Sequence, residues 1–148
     1  MYNILYRRSR FVYSIKETIC FKLMRARDRV HEYTKPYFQE IGITYGNYVT
    51  LLFLYENPGI TQIRLAELNH KDRNVMVQTI DKFEKKNYVK RIRSENDRRA
   101  YTLYLTEQGE EIVRKYWDIV IDAEKFLFKD ISDAELAIFQ SILDRVCD

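Results

Sequence analysis

With 148 residues, 46% hydrophobic and 32% charged, the chain has the balance of one soluble globular domain, large enough to bury a core without disulfide staples. That composition argues against a disordered chain, and with no run of 18 or more apolar residues no membrane span is expected. Net charge is only +3, but residues 1–35 hold nine Lys/Arg against three acids, residues 71–99 ten against five, and residues 107–148 five against eleven.

A basic block in the middle of the chain with an acidic tail beyond it fits an anionic partner met on one face. Solvated helix surfaces of mixed charge give the same counts without any partner, so charge alone does not decide. Two cysteines, Cys20 and Cys147, make no disulfide framework. The N-terminal MYNILYRRSRFVYSIKE has arginines but no long apolar stretch ending in a cleavage site, so a cytoplasmic protein is expected.

The first long segment, about Arg10 to Tyr37, reads as a helix. Phe11, Ile15, Ile19, Leu23, Ala26, Val30 and Tyr33 recur at spacings of four and three and make one apolar stripe that needs a cover. Pro36 marks a break or the entry to a short helical turn. Gly42-Ile43-Thr44 resets the chain, with Thr44 as N-cap for a helix over Tyr45–Glu56 that is apolar on more than one side. Asn57-Pro58-Gly59 ends it, and Thr61 caps a helix over Gln62–Leu68 whose Ile63, Leu65, Ala66 and Leu68 are expected to face inward.

The next stretch, Lys71 to Gly109, organises the rest. Asp72 is an N-cap, and Met76, Ile80 and Phe83 give the following helix one buried face. Asn74, Gln78, Asp81, Lys82 and Lys85 occupy the other. After Asn87 the period changes to that of strands, Tyr88–Arg93 and Tyr101–Thr106, joined by the polar Ser94-Glu95-Asn96-Asp97-Arg98-Arg99. A helix followed by a hairpin with adjacent arginines at its tip has the shape of a winged helix-turn-helix. Thr106 then caps a helix to about Lys129, striped by Ile112, Tyr116, Ile119, Val120, Ala123 and Leu127. Ser132 and Glu135 form a capping box for a last helix carrying Leu136, Phe139, Ile142, Leu143 and Val146.

Three quoted motifs, Lys82-Phe83-Glu84-Lys85-Lys86-Asn87-Tyr88-Val89-Lys90-Arg91, Asp97-Arg98-Arg99-Ala100 and Leu103-Tyr104-Leu105-Thr106-Glu107-Gln108-Gly109, resemble the MarR family of transcriptional regulators in order and spacing. Phe83 stands where that family usually has leucine, and Asn87 where it has glycine; both substitutions are mild, since Asn also tolerates a left-handed cap. The resemblance covers nearly the whole chain. It implies a mostly α fold with a small β-wing in a single domain: residues 1–37 and 107–148 as dimerisation helices, residues 38–106 as the winged-helix DNA-binding lobe. Striped terminal helices flanking the reader point the same way, because a two-fold reader sets its recognition helices roughly 34–36 Å apart, one DNA turn.

For DNA, exposed Arg73, Asn74 and Gln78 have the donors and acceptors that read base edges, Val77 suits a thymine methyl, and Lys82 lies on the same helix. The same residues are also ordinary polar surface. Arg98 and Arg99 suit the narrow minor groove; by resemblance one of them, Arg98, enters it while Asp97 braces the other. Thr61, Lys86, Lys90 and Arg91 are candidates for phosphate contacts, which position rather than specify.

The segments Ile19-Cys20-Phe21-Lys22-Leu23, Tyr33-Thr34-Lys35-Pro36 and Ile43-Thr44-Tyr45-Gly46-Asn47-Tyr48 are similar to the thiol-based, organic-hydroperoxide-sensing branch of that family. The likeness implies Cys20 as a sensor with Tyr45 as a thiolate partner, although Met24 and Thr34 stand where further donors are expected. A lone cysteine on a helix is otherwise a small structural apolar residue. A small aromatic or phenolic effector, in a cleft lined by Tyr37, Tyr45 and Tyr48, is the other response the family implies.

No enzyme is expected. His31 and His70 stand apart without cysteines or carboxylates at metal-ligand spacing, and the sequence has no G-x-G-x-x-G, G-K-[ST] or G-x-S-x-G. Neither a metal nor a cofactor is expected. Two function classes remain: a DNA-binding regulator, and a winged helix used as a protein-interaction module. An interaction module would expose apolar residues at the tip and recognition face, where this sequence has Arg, Asn, Gln and Lys.

Overall fold

The computed structural model describes residues 14–93 and 101–147. Ser14 caps a single 3-10 turn over Ile15–Glu17, and Thr18 closes that turn and caps α1 (Ile19–Glu40), its hydroxyl oxygen accepting from the Phe21 N–H at 3.3 Å. The helix expected from Arg10 therefore starts at Ile19, because the Ser14 and Thr18 hydroxyls offer the backbone local partners that compete with a continuous helix. Arg10 and Phe11 lie outside the described residues.

Pro36 does not break α1 but lies inside it. The ring removes one intrahelical N–H, but the Glu32 carbonyl left without it belongs to an exposed residue and can meet water. The turn is held from its other side by buried Thr34, whose hydroxyl donates to the Val30 carbonyl at 2.8 Å, and by Phe38, 1% exposed. Gly42, at φ +65°, closes the helix with Gly42 N–H on Gln39 O and Ile43 N–H on Phe38 O, both 3.0 Å.

Thr44 caps α2 (Tyr45–Glu56) as expected, accepting from Asn47 N–H. Tyr48, Leu51 and Leu54 of α2 are almost fully buried, so this helix is the centre of the core. Around it pack Leu65 of α3 (Gln62–Leu68), Met76, Ile80 and Phe83 of α4 (Arg73–Lys85), Leu103, and Val113 and Tyr116 of α5 (Glu107–Phe128). The Tyr48 hydroxyl donates to the Val113 carbonyl at 2.6 Å, which satisfies the polar end of a ring that is otherwise packing. Of the four α3 residues expected to face inward, Leu65 and Ala66 are buried and Leu68 partly so, but Ile63 is 53% exposed. On a seven-residue helix the buried face is too narrow to take all four.

The ribbon has three strands, not two. β2 (Val89–Arg93) and β3 (Tyr101–Leu105) pair antiparallel with Val89 opposite Leu105 and Arg93 opposite Tyr101. A two-residue β1 (Ile60–Thr61) adds to the other edge of β3, giving the order β1-β3-β2. Two residues are too few to show a period in the sequence.

Thr106 joins the sheet to α5: its N–H donates to Tyr88 O, its hydroxyl donates to Asn87 O at 2.5 Å, and its hydroxyl oxygen accepts from Gly109 N–H. α5 then runs along α1, with Tyr33 stacked on Phe126 at 4.9 Å between ring centroids and Arg29 over the same ring. α6 (Asp133–Cys147) touches α5 through Phe128 and Phe139, yet none of its described residues is buried. No described helix is long and apolar enough to cross a membrane.

The expected capping box at α6 is formed: the Glu135 carboxylate accepts from both the Ser132 hydroxyl and its N–H. Those two hydrogen bonds, the hydroxyl's first, hold Glu135 below the usual carboxylate range. A carboxylate lowered in the folded state adds stability above its unfolded value and loses it as pH falls through the folded value. Thermal melts of Glu135→Gln should therefore lie below the parent at neutral pH and converge on it as pH drops well under the ordinary glutamate value of about 4.3. A pH-independent gap between the two would show that the carboxylate's charge is not what the box uses.

Candidate nucleic-acid interface

The candidate reader is α3, a turn, and α4. Asp72 caps α4, its Oδ1 accepting from Asn74 N–H at 2.8 Å and Val75 N–H at 3.3 Å. Met76, Ile80 and Phe83 are fully buried on one face. At 3.6 residues per turn Asn74 and Gln78 then share the ridge opposite, and Arg73, Asn74, Val77, Gln78 and Lys82 are all exposed, as base-reading residues must be. Asn87, at φ +57°, ends the helix in the left-handed conformation expected of it, with Tyr88 N–H on Phe83 O.

The turn is fastened to α2 by residues the sequence reading passed over. Lys71 sends its ammonium to Gly46 O and the Thr50 hydroxyl, both at 2.8 Å, and Thr50 in turn donates to Asn69 Oδ1 at 3.2 Å. Burial lowers the Lys71 pKa, since among the described residues its partners are neutral acceptors. His70, at φ +49°, lets the chain reverse here. Nothing in the spacing of the sequence links Lys71 to Thr50; only the fold brings them together.

The four candidates for phosphate contact separate. Lys90 is exposed on β2, and Thr61 is exposed although its hydroxyl oxygen already caps α3 through Arg64 N–H. Lys86 is partly buried and reaches back over the α1–α2 turn, its Nζ lying 3.0 Å from where a Cβ on Gly42 would stand. Arg91 is a brace rather than a free cation. Its guanidinium donates to Glu84, to Asp81 at 2.7 Å and to Gln62 at 3.1 Å, tying β2 to α4 and α3 with 22% of the side chain exposed. A planar fork with several donors suits this three-way tie. The expected result is a clean split between neighbours. Lys90→Ala should lower the slope of log affinity against log salt by about one. Arg91→Ala should leave that slope unchanged and lower the melting temperature, because Asp81 and Glu84 are left facing each other.

Asp97, Arg98 and Arg99 lie outside the described residues. The strands leading to them are in place, with Arg93 over the Tyr101 ring at 6.0 Å.

Behind the reader a cavity of about 820 Å³ opens between α1, α2 and the helix-turn-helix turn, walled by Arg27, His31, Tyr45, Gly46, Val49 and Lys71 among others. Of the three tyrosines expected in a cleft, Tyr45 is there, its phenol raised by burial and then by the Glu124 carboxylate. Tyr48 is instead a core residue, its fully buried ring packed on Phe38 at 4.8 Å and edge-on to Tyr116 at 6.5 Å between centroids. Tyr37 lies on α1 beside Tyr33, not in the cavity wall. Cys20 is exposed at the start of α1. Tyr45 packs on Phe38, about 27 Å further along that helix at roughly 1.5 Å per residue. The chain does not bring Cys20 and Tyr45 together, so such a pair needs a second copy.

Comparison with known proteins agrees with this geometry. A family model described as transcriptional regulator SarA/Rot matches residues 32–116. The HTH-type transcriptional regulator SarZ of Staphylococcus epidermidis is 31% identical over 106 residues, covering 71% of each chain. An organic hydroperoxide resistance transcriptional regulator of Bacillus subtilis is 26% identical over 128 residues, 84% of this chain and 87% of that one. Among solved structures, the transcriptional repressor CouR bound to a 23-mer DNA duplex superposes with a TM-score of 0.81 at 26% identity, covering 90% of this chain and 94% of that chain. A capped reading helix, a three-stranded wing and these matches together place the chain in the SarA/Rot family of transcriptional regulators, winged helix-turn-helix proteins of the MarR type.

Proposed function

We propose that the protein is a cytoplasmic repressor that binds operator DNA as a homodimer. The helix α4 enters the major groove, and the wing places Arg98, with Arg99 braced by Asp97, in the minor groove. The observation that carries this reading is the α4 surface: Arg73, Asn74, Gln78 and Lys82 stand free on a helix whose other face is fully buried. Val75 and Val77 are the exposed apolar residues of that helix. Set among polar neighbours they are too small a patch for a protein-docking surface, so the interaction-module reading is the weaker one. The likeness to a repressor bound to DNA supports the same choice.

Retardation of duplex DNA from around the protein's own promoter tests the proposal. Complex formation should weaken steeply as salt rises, because the phosphate contacts release counterions. Equal binding of random duplex by the parent and by the Arg98→Ala/Arg99→Ala double variant, with no preference for promoter DNA, would overturn it.

Release by a small aromatic or phenolic molecule in the cavity behind the turn is the response we favour, because that cavity touches Lys71 and hence the start of the reading helix. Oxidation of Cys20 is the second reading, supported by its exposure and by the likeness to an organic hydroperoxide resistance regulator. An exposed thiol is open to attack, and its conversion to a larger polar group beside an apolar stripe would disturb helix contacts across a dimer. Treating the protein–DNA complex with an organic hydroperoxide, parent against Cys20→Ser, separates the two responses.

A further inference from the structure

The Val75 side chain lies outside the buried core. It is 49% exposed, whereas the other apolar residues of α4 apart from Val77 are fully buried. Its position is nevertheless fixed: its N–H donates to Asp72 Oδ1 at 3.3 Å and its carbonyl accepts the Thr79 hydroxyl at 2.8 Å. A β-branched side chain in a helix has one strongly preferred rotamer, so the isopropyl group is held in place before any partner arrives. Ordering it on binding then costs little entropy.

The first turn of α4, like those of α1, α2 and α3, holds no acid. α5 puts Glu107 and Glu110 there, and α6 puts Asp133 and Glu135, which suits the helix dipole. α4 carries Val75 there instead. At α4 the carboxylate that suits the dipole is the Asp72 N-cap itself, and a polar neutral residue would serve at position 75. An isopropyl group adds something else, a preference for an apolar partner. Around the helix, Val75 falls on one flank of the Asn74–Gln78 ridge and Val77 on the other.

We infer that Val75 is a specificity-determining residue whose isopropyl group reads the 5-methyl of a thymine, beside the bases met by Asn74 and Gln78. The thymine methyl is the apolar mark of the major groove. Cytosine at the same place carries only hydrogen at C5, so the isopropyl group would lose its apolar partner. The inference rests on the DNA-reading function proposed above.

Its test removes the methyl and nothing else. An operator is selected by the full-length parent from duplexes with a random core, and each thymine of the selected site is replaced in turn by uracil. Affinities for the resulting duplexes are measured by fluorescence anisotropy with the parent, Val75→Ala and Val77→Ala. At one position in each half-site, uracil should weaken the parent about four-fold, the worth of one buried methyl group. Val75→Ala should bind thymine and uracil duplexes alike at that position, while Val77→Ala keeps the parent's discrimination there. The substituted site is exposed, so unchanged melting curves will show that the variant is folded. Parent affinity that no uracil alters, or a methyl dependence that survives in Val75→Ala at every position, overturns the inference and leaves DNA reading standing. A pool that never enriches removes the DNA reading and this inference with it.

Discussion

Replacing Gly109 with alanine is expected to cost the protein more stability than any other single methyl group added to its glycines. A Cβ at this position would stand 2.1 Å from the Tyr88 carbonyl oxygen, 3.0 Å from its carbon and 3.3 Å from Leu105 Cδ2. Neither side can give way cheaply. Tyr88 O is held by the Thr106 N–H at 3.0 Å, Tyr88 N–H is held by Phe83 O at 2.9 Å, and Gly109 N–H is itself the donor that the Thr106 cap uses. Overpacking a well-filled site costs about 1–3 kcal/mol, and a clash with fixed backbone belongs at or above the upper end. Alanine regains about 1 kcal/mol of helix propensity, which does not offset it. At about 2–4 °C per kcal/mol for a chain of this size, the melting temperature should fall by several degrees. Gly46 is the control. It has no positive φ and, among the described residues, no atom outside its own helix backbone within 4 Å of an added Cβ, so Gly46→Ala should be neutral or stabilising. If Gly109→Ala melts with the parent by circular dichroism, the start of α5 is not seated on Tyr88 as described.

What was legible in the sequence was whatever depends on neighbours in the chain. The caps at Thr44, Thr61, Asp72 and Thr106 and the Ser132/Glu135 box all formed where expected, because each is a contact over two or three residues. The buried face of α4 followed from its period alone. The misses have a common cause in contacts between segments distant along the chain. Arg91 was read as a candidate for phosphate contact, and its ties to Gln62, Asp81 and Glu84 had no signal in the sequence. Tyr48 looked like a cleft residue until Val113 took its hydroxyl. β1 exists because β3 offers it an edge, and the Lys71–Thr50 tie exists because α2 lies under the turn. Pro36 misled for a different reason. The rule that proline ends helices assumes that its lost hydrogen bond is decisive, whereas here buried neighbours on both sides hold the turn.

The largest effect on function is expected from charge placed on the terminal helices. Ile15, Ile19 and Leu23 recur every four residues with 67%, 66% and 38% exposure, and Ile138, Ile142 and Val146 do the same with 62%, 49% and 70%. Two apolar stripes left open among the described residues of a single chain are what a second copy would cover, and a homodimer built on them is part of the proposed function. Ile19→Glu and Ile138→Glu are the informative variants. Both residues are already exposed in the single chain, so a carboxylate there costs the fold little. Leu143, also on α6, is half-buried, and its variant would mix folding with assembly. In a dimer the new carboxylates would be desolvated without a partner, which costs several kcal/mol each and should leave a folded monomer of 18.0 kDa. A monomer holds one half-site at a time, so operator affinity should drop by about a hundred-fold or more through lost effective concentration alone, with α4 and the wing untouched. Light scattering after sizing chromatography, circular dichroism and operator titration on the same samples read out mass, fold and affinity. Variants that remain dimeric with parental affinity would put the interface elsewhere. Folded monomers with parental affinity would mean that a single reading helix suffices.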